Sequence, residues 1–416
     1  MKKILLLIFT FIYSFSAGLS QDFLEPTEAF KPAFIKNKDS LSFKLELGKD
    51  IYLYDDKGEE YVDFVSGIAV NCLGHSNNVM VDAMKKQAEK LIHISNLYYS
   101  DTQMQLAKKL IDNSKMEKVF FTNSGTEAVE LAIKIARKYG NSISKNKTEI
   151  IYMTESFHGR STGSVAITGQ KKYQEPFEPL LPNVTECKFN DVEDFLSKIN
   201  ENTCAVVLEP VQGESGIKRA TNEFMKAIKE KCAEYKSLII FDEIQCGMGR
   251  LGTLFAYDKF DVVPDVVTIA KALGGGVPIG ACLTRGIAND VMAPGDHGST
   301  YGGNPFVCEV ARTVLTELID NGVIENVNKI GAYAISKLNE LKDQSDVIEE
   351  IRGEGLLIGI KLNNEKMTAR EFAEKALENK FLVVPAGDNV VRYFPPLNVT
   401  KEEIDISIEK IKKVLK

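Results

Sequence analysis

With 416 residues, 44% hydrophobic and 26% charged, the chain is long enough for more than one domain of ordinary globular type. A net charge of −7, with lysines and acids intermixed, excludes a basic nucleic-acid-binding tract. Seven cysteines are scattered without CxxC or any metal spacing, so no metal site is expected, and buried free thiols suit a reducing compartment.

The chain opens on MKKILLLIFTFIYSFSAGLSQ, with two lysines, an apolar run from Ile4 to Phe15, and Gly18 and Ser20 as a cleavage pair. This is signal-peptide grammar, and the apolar run is short for a spanning helix. The thiols favour a misassigned, uncleaved or organelle-directing leader instead. A cytoplasmic protein is expected, with export or organelle targeting through residues 1–20 as the alternative.

From about Ile51 apolar runs of strand length recur: KVFFT (118–122), EIIYM (149–153), CAVVLE (204–209), SLIIFD (237–242), DVVTIA (265–270) and IGACLT (279–284). Most show no polar alternation, as expected of strands buried on both faces. Helical patterns lie between several of them. Val129, Ala132, Ile133 and Ala136 fall on one helix face, and Gly140 is the expected stop. This alternation predicts an α/β fold with a mostly parallel central sheet. After about residue 310 the texture changes. A helical stretch over 311–341 precedes the short strands LLIGIKL and FLVV and a charged helix from Thr400, which predicts a smaller α+β domain. The expected organisation is a leader at 1–20, an N-terminal segment at 21–60 packing with the small domain, a large domain at 61–305 and a small domain at 306–416. No internal repeat is present.

Ligands of open parallel sheets sit at the carboxyl ends of the strands. After VFFT comes NSGTE (123–127), where Ser124, Gly125 and Thr126 open a helix and offer amides and hydroxyls to a phosphate. The same residues also read as a capping box, Ser124 with Glu127. Asp242 ends a buried strand, which is costly unless a cation meets it. It is either an ordinary ion pair or cap, or the partner of a protonated heterocyclic nitrogen. Lys271 ends the next strand. Alone it reads as a snorkelling surface lysine, but burial would depress its pKa and free a nucleophilic amine. A phosphate loop, an aspartate and a lysine on one sheet edge are the parts of a pyridoxal phosphate (PLP) site.

The stretch FDEIQCGMGRLGTLFAYDKFDVVPDVVTIAKALGGGVPIGA (241–281) resembles the signature of class III, ornithine-type aminotransferases, PLP enzymes of fold type I. NSGTEAVELAIKIAR, FHGRSTGS, EPVQGESGI, HGSTYGGNP and IRGEGLLIGI are similar to further family motifs, in family order, from about Ile51 to the C-terminus. HISNLYYS and LGGGVPIGA look most like the acetylornithine-using branch. The resemblance implies Lys271 as the Schiff-base lysine and proton carrier, and Asp242 as the pyridine-nitrogen partner. It implies Gln245 near the phenolic oxygen, Phe157 on the ring, and Ser124, Gly125 and Thr126 on the phosphate. Thr300 would come from the partner subunit of a homodimer, and His158 would be structural support. Arg160 would hold the substrate carboxylate. Glu214 would pair with Arg392 and release it for the second carboxylate of 2-oxoglutarate. The implied donor is N-acetylornithine, with ornithine, succinyldiaminopimelate and 4-aminobutyrate as alternatives. A catalytically silent binding protein on the same fold is the rival class, and the intact Lys271, Asp242 and Arg160 speak against it. A nucleotide-binding enzyme is remote, because GEGLLIG and GGG lack the strand–GxGxxG–helix context. The chain departs from the family pattern in three places. The region 29–56 lacks the usual tyrosine- and arginine-bearing motif, GHSNN lacks the second histidine and the proline, and Leu251 stands where threonine is common.

Overall fold

The computed structural model describes residues 44–416; the leader at 1–20 and residues 21–43 of the N-terminal segment lie outside the described residues. Residues 44–47 and 54–59 form a small unit by themselves, in which Asp55 Oδ1 accepts the amides of Lys57 (3.0 Å) and Glu59 (2.9 Å). Residues 48–53 and 60–416 make up the other unit.

Strand β1 (Glu60–Asp63) and helices α1 (Asn78–Ala88) and α2 (Asp101–Asp112) precede the main sheet. The sheet comprises β2 (Lys118–Thr122), β3 (Glu149–Met153), β4 (Val184–Cys187), β5 (Thr203–Leu208), β6 (Leu238–Asp242), β7 (Val266–Ile269) and β8 (Gly280–Thr284). Their spatial order is β2-β8-β7-β6-β5-β3-β4. β7, β6, β5, β3 and β4 pair in parallel, while β8 runs antiparallel to both β7 and β2. The α/β fold with a mostly parallel sheet is therefore as expected, with one reversed strand. Each strand predicted for this sheet is present to within a residue at either end, whereas FLVV, predicted as one strand, divides between Phe381–Leu382 and Val384–Ala386, which join different sheets. Every residue of β5 to β8 is buried. Full burial of each Val, Leu or Ile side chain contributes about 1.5–3 kcal/mol, which is why these strands read as unbroken apolar runs.

Helix α3 (Gly125–Ile143) follows β2 directly, capped by Ser124, whose side chain accepts the amide of Glu127 at 3.4 Å. The Glu127 carboxylate accepts the Asn123 amide at 2.6 Å, one residue before the cap. Gly140 does not end this helix, contrary to the sequence expectation. A Cβ there would lie 1.9 Å from the Lys147 carbonyl oxygen and 2.6 Å from Cys204 Cβ, so this glycine permits close packing within the last turns. Helix α4 (Asn222–Tyr235) connects β5 to β6.

The predicted helical stretch at 311–341 proves to be two helices, α5 (Pro305–Ile319) and α6 (Val323–Lys342), parted where Gly322 adopts φ +82°. Beyond them lie β9 (Ile348–Glu354), β10 (Leu357–Leu362), α7 (Ala369–Glu378), β11 (Phe381–Leu382), β12 (Val384–Ala386), β13 (Val390–Tyr393) and α8 (Lys401–Val414). β9, β10, β13 and β12 form an antiparallel sheet in that order, and β11 pairs with β1. Thr368 with Glu371 and Thr400 with Glu403 close reciprocal capping boxes on α7 and α8. All seven cysteines are buried free thiols. Among the described residues no helix is long and apolar enough to cross a membrane, and no cluster of His, Cys, Asp and Glu could hold a metal ion.

Candidate active site

Parallel strands joined through helices deliver their carboxyl ends to one edge of the sheet. A cavity of ≈ 430 Å³ opens at these strand ends. Ser124, Gly125, Thr126, Phe157, Arg160, Glu214, Asp242, Gln245 and Lys271, all predicted from sequence, line it. Arg392 stands behind Glu214 rather than on the wall. Thr300 is not among the lining residues and is exposed.

Lys271 lies just past β7 and begins a short 3-10 turn over Lys271–Leu273. Its φ is +44°, a left-handed conformation that costs a non-glycine residue roughly 1–2 kcal/mol. Gly275 and Gly276 follow at φ +55° and +133°, angles open to glycine, and Gly276 borders the cavity. Burial lowers the pKa of Lys271 below the usual lysine value. Glu214, Asp242 and Glu209 oppose that shift, and Arg392 adds to it.

Asp242 is nearly sequestered, and both its oxygens are engaged. Oδ2 meets Nδ1 of the buried His158 at 2.7 Å, and Oδ1 accepts the Ile244 amide at 3.0 Å. Glu214 pairs with Nη1 of Arg392, a residue of β13 that is 2% exposed and also donates to the Pro385 carbonyl at 3.3 Å. Burial works against the charge on Glu214, yet Arg392, Lys271 and Gln245 hold its carboxyl below the ordinary value.

Two parts of the site escaped the sequence reading. Glu209, the residue after β5, is buried on the cavity wall and accepts the Phe157 amide at 3.1 Å. Burial, with Asp242 nearby, pushes its carboxyl well above the carboxylate range. The signal was available, because an acid ending the run CAVVLE obeys the rule that singled out Asp242. The second is a hydroxyl network behind the α3 N-terminus. Thr126 Oγ1 meets Ser161 Oγ (2.6 Å) and Ser164 Oγ (2.7 Å), and Glu130 accepts from Ser161 Oγ (2.5 Å) and from the amides of Gly163 and Ser164.

These residues fit a flat heterocycle carrying a phosphate. The first-turn amides of the 19-residue α3 supply an anion site, Asp242 is a fixed carboxylate, and Phe157 offers an aromatic face. Gln245 Oε1 and His158 Nε2 are buried with no hydrogen-bond partner among the described residues, as expected where a polar ligand completes the shell.

A seven-stranded sheet with a desolvated lysine and a fixed aspartate at its carboxyl edge defines an enzyme of amino-group chemistry. The family model for class-III aminotransferases matches residues 34–415, and the chain belongs to that family. It is 52% identical over 363 residues to the acetylornithine aminotransferase of Clostridium acetobutylicum, covering 86% of this chain and 92% of that one. The solved N-acetylornithine aminotransferase of Stenotrophomonas maltophilia superposes with a TM-score of 0.79 at 35% identity, over 90% of this chain and 97% of that one. The ornithine aminotransferase of Toxoplasma gondii, solved with partial occupancy of PLP at its active site, gives 0.88 at 30% identity over 97% of both chains.

Proposed function

We propose that this aminotransferase moves the terminal amino group of N-acetylornithine to 2-oxoglutarate, giving N-acetylglutamate 5-semialdehyde and glutamate, with PLP as cofactor. The observation that carries the chemistry is Lys271, desolvated and strained at the cavity beside Asp242. The identity to acetylornithine aminotransferases supports the donor.

PLP, when bound, supplies a carbonyl for the amino group and a ring that draws electrons from the carbon losing its proton. Ser124, Gly125 and Thr126 would hold its phosphate, and Asp242, braced by His158, would keep the ring nitrogen protonated. Phe157 would offer its face to the ring, and Gln245 would serve the phenolic oxygen. The neutral amine of Lys271 is the nucleophile, and afterwards Nζ carries the proton to and from the reacting carbon. Arg160 holds a substrate carboxylate. Glu214 neutralises Arg392 while the donor is bound and withdraws when the second carboxylate of 2-oxoglutarate arrives, so the buried guanidinium always has an anion.

We infer a homodimer as well. Leu97, Tyr98 and Tyr99 are 71–88% exposed beside an exposed Tyr301, an apolar patch of a kind that marks interfaces. Asn96 Nδ2 ties this patch to the carbonyls of Ser299 and Gly302, which flank Thr300. By the family resemblance, Thr300 would reach the phosphate held by the partner subunit.

The test is a half-reaction panel. The spectral change of the PLP-loaded enzyme is followed with N-acetylornithine, ornithine, succinyldiaminopimelate and 4-aminobutyrate separately. N-acetylornithine is expected to give the highest kcat/KM, and a higher value for any other donor overturns the assignment.

A further inference from the structure

The stretch VVRYFPP ends on two prolines, which carry no N–H and cannot extend β13 beyond Tyr393. The buried carbonyls that follow the strand are served by side chains instead. Ser66 Oγ donates to the Phe394 carbonyl at 2.7 Å, and Nη1 of Arg250 donates to the Pro395 carbonyl at 2.6 Å. Arg250 is 1% exposed, and its Nε and Nη2 have no hydrogen-bond partner among the described residues. Burial lowers its pKa to about 10, so the cation persists at neutral pH. Desolvating a guanidinium this fully is expensive, and the expense falls three residues from Arg392. We propose that Arg250 is the positioning residue for Arg392: it fixes the strand end that sets where the Arg392 guanidinium meets the second carboxylate of the keto acid. This rests on the reading of Arg392 as the site of that carboxylate.

Arg392 lies opposite Gly359 of β10 in the sheet register. Arg250 grips the start of that strand as well. Its Nη1 also donates to the Leu356 carbonyl at 3.3 Å, and its own carbonyl accepts the Leu356 amide at 3.0 Å. One residue therefore pins the beginning of β10 and the chain just past β13, the antiparallel pair that frames Arg392. The Phe394 ring lies within reach of both guanidiniums, its centroid 6.0 Å from the Arg250 carbon and 5.6 Å from that of Arg392. That ring is buried in an apolar cluster with Leu251 and Leu357, so a shift of either cation disturbs packed side chains. A planar guanidinium suits this work better than an ammonium, because its fork serves two carbonyls in a fixed geometry. Arg250 is not among the residues that line the cavity, so it acts on the substrate only through what it holds. The exchange of anions proposed above needs such a fixed half: Glu214 withdraws, and Arg392 stays where the carboxylate arrives.

The experiment follows the second half-reaction alone, on enzyme carrying pyridoxamine phosphate, with two keto acids: 2-oxoglutarate and 2-oxobutanoate, which lacks only the distal carboxylate. The ratio of their kcat/KM values reads the grip on that carboxylate. Arg250→Met is expected to lower the ratio roughly threefold to tenfold, through the half-saturating concentration of 2-oxoglutarate. The limiting rate with 2-oxoglutarate and the half-reaction with N-acetylornithine are expected to stay native. Arg250→Lys keeps the charge and one donor, and its ratio is expected to fall between those of the native enzyme and Arg250→Met. If Arg250→Met does not fold, Arg250→Lys is read in its place, a lowered ratio supporting the role and a native one overturning it. Arg392→Gln is expected to collapse the ratio, and a native ratio in that variant defeats the carboxylate reading of Arg392 itself. If Arg392→Gln collapses the ratio while Arg250→Met slows both keto acids equally or leaves both native, the positioning role is overturned.

Discussion

Two lysines around the main sheet are desolvated, Lys147 buried and Lys271 half-buried, and their surroundings could hardly differ more. Lys147 lies by the start of β5, 2% exposed, and donates to the carbonyls of Thr203 (2.7 Å), Tyr235 (2.8 Å) and Glu201 (3.1 Å). Lys271 lies at the opposite edge, beside a cavity, with carboxylates and a guanidinium near it. Burial lowers the pKa of both. Desolvation alone therefore does not make a nucleophile. Lys147 has an acceptor for each ammonium proton and works as a rivet between β5 and α4, whereas Lys271 lines a cavity among charged side chains.

That contrast is open to attack. The largest effect is expected for Lys271→Ala, where steady-state turnover falls on the order of 10³-fold or more. Borohydride should trap PLP on the native chain and not on this variant; substantial multiple turnover would sink the assignment. Lys147→Met is expected to do the reverse. Stranding buried carbonyls costs about 2–4 kcal/mol of stability, read by urea unfolding, while kcat of the folded enzyme stays native. A loss of kcat with native stability would erase the distinction between the two lysines. The smallest effect concerns pH. Recombination of the apoenzyme with PLP needs the neutral amine, so its rate should rise through a midpoint below the usual lysine value. Glu214 is the strongest of the groups that hold the proton on Lys271. Glu214→Gln should therefore move the midpoint to lower pH, by roughly half a unit to one unit. A move to higher pH would contradict the arrangement.

The parts of the molecule legible in sequence are those where one physical demand dominates. Strands buried on both faces must be apolar, so β5 to β8 announced themselves. β4 was missed because most of VTEC is only half-buried at the sheet edge and two adjacent polar residues, Thr185 and Glu186, break the apolar run. Asp242 and Lys271 were found because charge at the end of an apolar run is expensive, and Glu209 could have been found the same way. Lys147 hid in SKNKTE, which reads as a solvated loop until α3, β5 and α4 close around it. The reach of Arg250 to the Pro395 carbonyl depends on where two distant loops meet, which no local pattern encodes. Nor does any composition signal foretell the left-handed backbone of Ser66, Gly67, Ile68 and Ala69, whose start is pinned by the Asp63 carboxylate on the amides of Val65 (2.8 Å) and Ser66 (3.1 Å).

The reversed strand β8 has a mechanical consequence. Parallel neighbours need a long crossover between them, but an antiparallel pair can be joined directly. Residues 270–279 thus leave β7 and enter β8 at the same edge, with Ile269 opposite Ala281. The loop bearing Lys271 is tethered at both ends to adjacent strands of one rigid plate. On the function proposed above, the rearrangement between the two substrates would then fall to the Glu214–Arg392 pair rather than to this loop. On that proposal the fold would divide the labour between an anvil that stays still and a latch that moves.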